Sequence, residues 1–230
     1  MHSDILYKLD NPAWYALAEV HQSFAVCNFS IKRYQKNIVS FFAYDHAQKD
    51  AFLKADEITD VDESFYIIGD LPVLPKNYNV ENRLSCVQMT CFELSNLPEA
   101  YLAIDRLGEN DEEEMLALIN IVQPGYFLPG TRQMGDYYGV RQNGELVAIT
   151  GERMRMNDLA EISAVVTHPE FTGRKFAQQL VAHTVKKNIA ADIIPFLHVA
   201  ESNERAINIY QGLGFSPRRL IDFWKIKRTD

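Results

Sequence analysis

Residues 164–181 read AVVTHPEFTGRKFAQQLV. A run of β-branched residues gives way to His168-Pro169. A short polar loop follows with one glycine and two cations, and an amphipathic pattern begins at Phe176. This order predicts a strand, a turn, and a helix whose apolar face carries Phe176, Ala177, Leu180, Val181 and Val185. The first turn of a helix offers unpaired backbone N–H groups and a partial positive charge. With Arg174 and Lys175 beside it, such a turn suits a phosphate or pyrophosphate. The loop contains neither GxxxxGK[ST] nor GxGxxG, so it is neither a nucleotide-hydrolysing P-loop nor a dinucleotide fingerprint.

Upstream, two alternating runs flank Asn143-Gly144, the strongest short hairpin signal. Asn157-Asp158 makes a second turn into AEISAVVT, which predicts an antiparallel meander over 137–167. Before it, Asn110 is a helix cap followed by the acidic turn DEEE, which favours the helix dipole, and by the apolar face Met115, Leu116, Leu118 and Ile119. Downstream, the continuous apolar run IIPFLHVA at 193–200 reads as a buried strand. Asn203 caps a helix, ERAINIYQGL, with Ala206, Ile209 and Tyr210 on one side, and Gly212 and Gly214 end it. Residues 215–228 read as a hairpin or long strand. Nearer the start, Asn11-Pro12 opens a helix expected over 12–30, with Trp14, Leu17, Val20, Phe24 and Ala25 at helical spacing. Strands are expected at 64–68 and 84–92, with a Pro-broken loop at 71–77 between them.

The 230 residues, 47% hydrophobic and 23% charged, suit one large or two modest globular domains. A net charge of −8 argues against nucleic acid as a partner, because phosphate contacts need clustered cations. The three cysteines, Cys27, Cys86 and Cys91, show no CxxC spacing. Reduced thiols are expected, with no disulfide framework and no metal site. The first residues do not read as a signal peptide, and no apolar run is long enough for a membrane helix. A cytoplasmic location without a membrane partner is therefore expected.

HPEFTGRKFA, followed some thirty residues on by Asn203, Ala206, Tyr210, Gly214 and Phe215, resembles the GNAT superfamily of acyl-CoA-dependent N-acetyltransferases. The resemblance spans roughly 105–228 and is nearest to the branch with glycine N-acyltransferase-like C-terminal domains. It implies an α/β (α+β) fold with a mixed, mostly antiparallel central sheet flanked by helices. Residues 105–230 would form the acetyltransferase domain. Residues 1–104 would form a less regular α/β region, either on the acceptor side or a diverged copy of the same fold. Acetyl-CoA would be the co-substrate, with no metal. The acceptor would be a small-molecule or amino-acid-like amine, and there is room for a homodimer.

By the same resemblance, Thr172, Gly173, Arg174, Lys175, Phe176 and Ala177 would wrap the pyrophosphate. The main chain of Val165, Val166 and Thr167 would hold the pantetheine arm and the acyl carbonyl. Asn203 would touch the arm, cap its helix, or both. Tyr210 would protonate the leaving sulfur. Glu161, with a raised pKa, would be the base, with Glu152 or water as competitors. His168 and His198 read as packing residues. Thr172 and Lys175 depart from the pattern, which has Arg or Gln and then Gly. Lys175 is expected in helical conformation, its ammonium replacing close backbone approach. The loop at 123–130 with Tyr126, Phe127, Tyr137 and Tyr138 would wall the acceptor site. The alternative is a non-catalytic acyl-CoA-binding module. Longer-chain acyl transfer would keep the mechanism and change only the acyl tunnel.

Overall fold

The computed structural model describes residues 3–48, 50–95 and 102–230. The chain divides into two compact units, Met1–Cys86 with Leu220–Asp230, and Val87–Arg219.

In the first unit, α1 (Pro12–Ala18) precedes β1 (Ala25–Asn28), β2 (Ile31–Tyr34), β3 (Phe41–Tyr44), β4 (Ser64–Ile68) and most of β5 (Tyr78–Thr90). β1–β2 and β2–β3 are antiparallel, whereas β3 and β4 are parallel. A 3-10 segment, Ala51–Glu57, makes the crossover between them. Phe42, Phe52, Phe65 and Tyr78 fill the core, with the Phe42 and Phe65 rings 4.0 Å apart. The helix expected over 12–30 stops at Ala18. Val26 instead pairs with Arg33 across the sheet, and that tertiary pairing overrides a helical spacing of apolar residues.

In the second unit, β6 (Asp105–Leu107) and α2 (Glu112–Val122) lead into the meander β7 (Tyr137–Gln142), β8 (Glu145–Arg155) and β9 (Leu159–Thr167). Then follow α3 (Phe176–Ala190), β10 (Ile194–Ala200), α4 (Glu204–Gly212) and β11 (Ser216–Arg228). β6–β7, β7–β8 and β8–β9 are antiparallel, while β9–β10 is parallel. Asn143 and Gly144 turn the first hairpin with φ of 54° and 89°, the geometry of a type I′ turn. α2 begins later than expected: Asp111 Oδ2 accepts from the Gly108 N–H at 2.7 Å, so Asn110 is not the cap. On one face of the sheet, Val181 and Val185 of α3 pack on Ile162, Leu197 and Val199. Met115, Leu118 and Ile119 of α2 pack with Tyr137, Ile149 and Val166.

The packing division and the expected division at residue 104 do not coincide. β5 gives Val87–Thr90 to the second unit, and β11 gives Leu220–Arg228 to the first, where it pairs antiparallel to β4. Each unit follows the same order: a helix, three antiparallel strands, a crossover and a parallel fourth strand. A diverged copy would retain that order. Among the described residues, no helix is long and apolar enough to cross a membrane.

One close contact in the meander tests this packing. A Cβ on Gly151 would lie 2.2 Å from the ring of Tyr137, which is 1% exposed. Gly151→Ala should lower stability by about 1–3 kcal/mol through forced overpacking, read as a lower Tm.

Candidate functional site

Pairing between β9 and β10 runs Leu159↔Ile194, Ala160↔Pro195 and Glu161↔Phe196, and no later pair forms. The two strands fork from there. Past the fork, β9 carries a bulge. Between the pairs Gly151↔Ser163 and Ile149↔Val166, Thr150 opposes both Ala164 and Val165. Ala164 takes φ 50°, a left-handed conformation that costs a residue with a Cβ about 1–2 kcal/mol. No glycine marks the bulge in the sequence, so it carries no local signal.

The His168 N–H donates to Val147 O at 2.8 Å. Hydrogen-bonded and non-bonded pairs alternate along an antiparallel ladder. The Val166 N–H is therefore turned toward β8, while those of Val165 and Thr167 are turned away, toward the fork. Of the three residues expected to hold the pantetheine arm, Val166 is thus not placed to donate. Its side chain is 1% exposed, in the core.

The loop after β9 is internally braced. His168 Nδ1 accepts from the Glu170 N–H at 3.3 Å, and the Thr172 hydroxyl donates to Pro169 O at 3.0 Å. Gly173 has φ 80°. Lys175 has φ 59° and ψ 19°, which corrects the expected helical conformation. It is left-handed, and that is the physical reason for glycine's preference at such a position. The Gln179 N–H is the first to bond back, to Lys175 O at 3.2 Å. Among the described residues, no acceptor meets the N–H of Gly173, Lys175, Phe176, Ala177 or Gln178.

These donors border a cavity of about 230 Å³. It takes in the whole expected loop, Thr172 to Ala177, together with Thr167 of β9 and Arg205 and Ile209 of α4. The Arg174 guanidinium lies over the Phe171 ring at 4.8 Å. Arg205 was not foreseen. Its signal was present, since it lies two residues past the helix cap and four before Ile209, on one helical face. A row of unbonded N–H groups with cations from two elements has the chemistry of a polyphosphate cradle, so these residues fit the diphosphate of coenzyme A.

Asn203 Oδ1 accepts from the Ala206 N–H at 3.1 Å, so its side chain is committed to capping α4. Tyr210 is half-buried and its ring meets Phe215 edge-on at 5.9 Å. Its hydroxyl has no hydrogen-bond partner among the described residues, and burial pushes its pKa up to about 12.

Glu161 departs from expectation. It is 1% exposed, and Arg153 grips it at two points, 2.8 and 2.6 Å. His198 Nδ1 lies 2.8 Å from its Oε1. Burial alone would raise its pKa, but the Arg153 charge and the hydrogen bonds from Arg153 and His198 outweigh it and hold the carboxyl at about 2. The raised pKa expected of a base is absent. His198 Nε2 faces Gln88 Nε2 at 2.9 Å, and Gln88 Oε1 accepts from Arg218 at 2.8 Å. With its oxygen so engaged, Gln88 donates to His198 Nε2, leaving Nδ1 to donate to Glu161. Glu152 is fully buried and bonded to Arg155 at 2.9 Å and to Lys187 of α3 at 3.1 Å. Of the expected wall, Phe127 and Tyr137 pack together in the α2 core and Tyr126 is exposed. Tyr138 packs with Phe176 and Leu180 of α3 and so stands on the other face.

A GNAT-family protein of known structure from Novosphingobium aromaticivorans is 31% identical, with a TM-score of 0.83 over 96% of this chain and 99% of that one. This chain belongs to the GNAT family. Residues 137–224 also match the family model described as FR47-like protein. The family fold recurs in a GCN5-related N-acetyltransferase from Kribbella flavida, with 15% identity and a TM-score of 0.61 over 95% of this chain and 94% of that one. It recurs in a GCN5-related N-acetyltransferase-like protein from Streptococcus suis, with 13% identity and a TM-score of 0.59 over 97% of each chain. No curated protein matches the sequence.

Two measurements probe the site's local energetics. Lys175→Gly should raise stability by about 0.5–1 kcal/mol, the left-handed strain relieved less the added freedom of the unfolded chain, read by denaturant titration. Glu161 has its folded pKa below the ordinary 4.5, at about 2, so its stabilisation is full above pH 4.5 and lost as pH falls toward 2. That window should cost the native protein about 3 kcal/mol. Glu161→Gln should lose about 3–5 kcal/mol at neutral pH, because it strips Arg153 of its counter-charge, and should show a shallower acid-side decline.

Proposed function

We propose that this GNAT-family protein is an acyl-CoA-dependent N-acetyltransferase. It would move an acetyl group from acetyl-CoA to the amine of a small or amino-acid-like acceptor by direct attack. One observation supports this above the others. The cradle at the start of α3, the fork-facing N–H groups of Val165 and Thr167, and the unbonded hydroxyl of Tyr210 lie on successive elements of one unit.

Acetyl-CoA, once bound, supplies an activated thioester. The loop N–H groups and Lys175 hold its diphosphate, Lys175 as a point charge. The N–H groups of Val165 and Thr167 take the pantetheine arm and polarise the acyl carbonyl as negative charge builds on its oxygen. Tyr210 protonates the departing sulfur. A phenol with its pKa near 12 stays protonated through the neutral range, as a general acid must. Glu161, committed to Arg153, is a poor proton acceptor, so the acceptor's ammonium gives one proton to water before attack; the second, shed by the nitrogen as the amide forms, returns through water to the Tyr210 phenolate. All three cysteines are free, which fits the reducing cytoplasm.

The engagement of Glu161 also favours a second reading, an acyl-CoA-binding module without turnover. Tyr210→Phe separates the two. A transferase should keep its affinity for acetyl-CoA by titration calorimetry, while thiol release in an amine screen falls about 10²-fold or more. A module releases no thiol in either form. Lys175→Glu should weaken acetyl-CoA binding more than Lys175→Gly, because it sets an anion against phosphate. Equal affinities would remove Lys175 from the site.

A further inference from the structure

Arg205 and Lys175 enter the same cavity from different elements, α4 and the loop before α3. Both are exposed. Neither side chain has an ion-pair or hydrogen-bond partner among the described residues. Two cations lining one small cavity repel each other, and an anion with charge to share between them would remove that cost. A diphosphate ester has this form. A single-charge ligand would satisfy one cation and leave the other.

α4 has a second peculiarity. None of its residues is buried, whereas α3 buries Leu180, Val181, Val185 and others. α4 rests on the partly buried side chains of Ala206, Ile207, Ile209 and Tyr210. Few buried contacts are the mark of a segment that opens locally at low free energy. Arg205 and Ile209 form the cavity-facing row of this helix, and Tyr210 is the next residue.

We propose that Arg205 is a positioning residue: the ligand's diphosphate, bridged between Lys175 and Arg205, draws α4 onto the cradle and so seats the Tyr210 hydroxyl. This rests on the acetyl-CoA reading above and adds a coupling within it. Binding energy from the part of the donor far from the reaction is used to order the acid. Lys175 contributes affinity alone; Arg205 contributes affinity and the order of α4.

The test uses the full chain, acetyl-CoA and acetyl-pantetheine, which carries the same thioester without phosphate. Titration calorimetry reads affinity, and hydrogen exchange at saturating ligand reads the α4 amides. In the wild type, acetyl-CoA should slow exchange across 204–212 and acetyl-pantetheine should not. Arg205→Gln should weaken acetyl-CoA binding about tenfold and, even at saturation, abolish the slowing in α4. Lys175→Gln should weaken binding yet keep the slowing once saturated. Arg205→Lys should restore part of both effects. Because Arg205 is exposed, the ligand-free melting temperature should not move. Unchanged affinity in Arg205→Gln, or full α4 slowing in that variant, overturns this inference and leaves the acetyl-CoA reading standing. Failure of the wild type to bind acetyl-CoA overturns the reading itself.

Discussion

The second unit depends on the point at which hydrogen bonding between β9 and β10 ends, after Glu161↔Phe196. A sheet that continued to pair would leave no strand N–H for a ligand. Here the main chain parts, and side chains take over the bridging. Arg153, Glu161, His198 and Gln88 form a linked chain across neighbouring strands at the fork. Among the described residues, no buried side-chain nitrogen or oxygen of that chain lacks a hydrogen-bond partner, as a buried network requires. The same bonds that hold Glu161 as an anion lower its affinity for a proton, which sets it apart from a base poised near neutral pH.

Beyond the fork, two residues with side chains occupy left-handed backbone, Ala164 and Lys175. They stand at the two ends of the segment that would meet the donor, one at the bulge and one at the start of α3. Strain of this kind survives only where surrounding packing fixes it. Here β8 fixes the first, and the braced turn from His168 to Thr172 fixes the second.

Local chemistry was readable from the sequence. Asn143-Gly144, the cap at Asn203 and the strand–loop–helix order around Gly173 each draw on residues within a few positions, and each gave the right element. What escaped reading depends on partners elsewhere. The helix over 12–30 was cut short by pairing with β2. The bulge at Ala164 has no glycine to mark it. The state of Glu161 is set by Arg153, placed at nearly the same distance on the other side of the Asn157-Asp158 turn. A cross-strand pairing of opposite charges was therefore available as a signal there. The conformation of Lys175 was hidden for a different reason: lysine at that position hides the φ that glycine would have declared.

The division of β11 between the two units bears on how the chain comes to be folded. β4 has β11 as an antiparallel neighbour, so the unit that holds α1 draws one of its strands from beyond the second unit in the sequence. During synthesis, residues 64–68 must wait for 223–227, with the whole second unit made in between. The part translated earlier of the two is completed later. Until then it exposes a strand edge and the aromatic core beside it, the condition in which nascent chains are most open to mispairing.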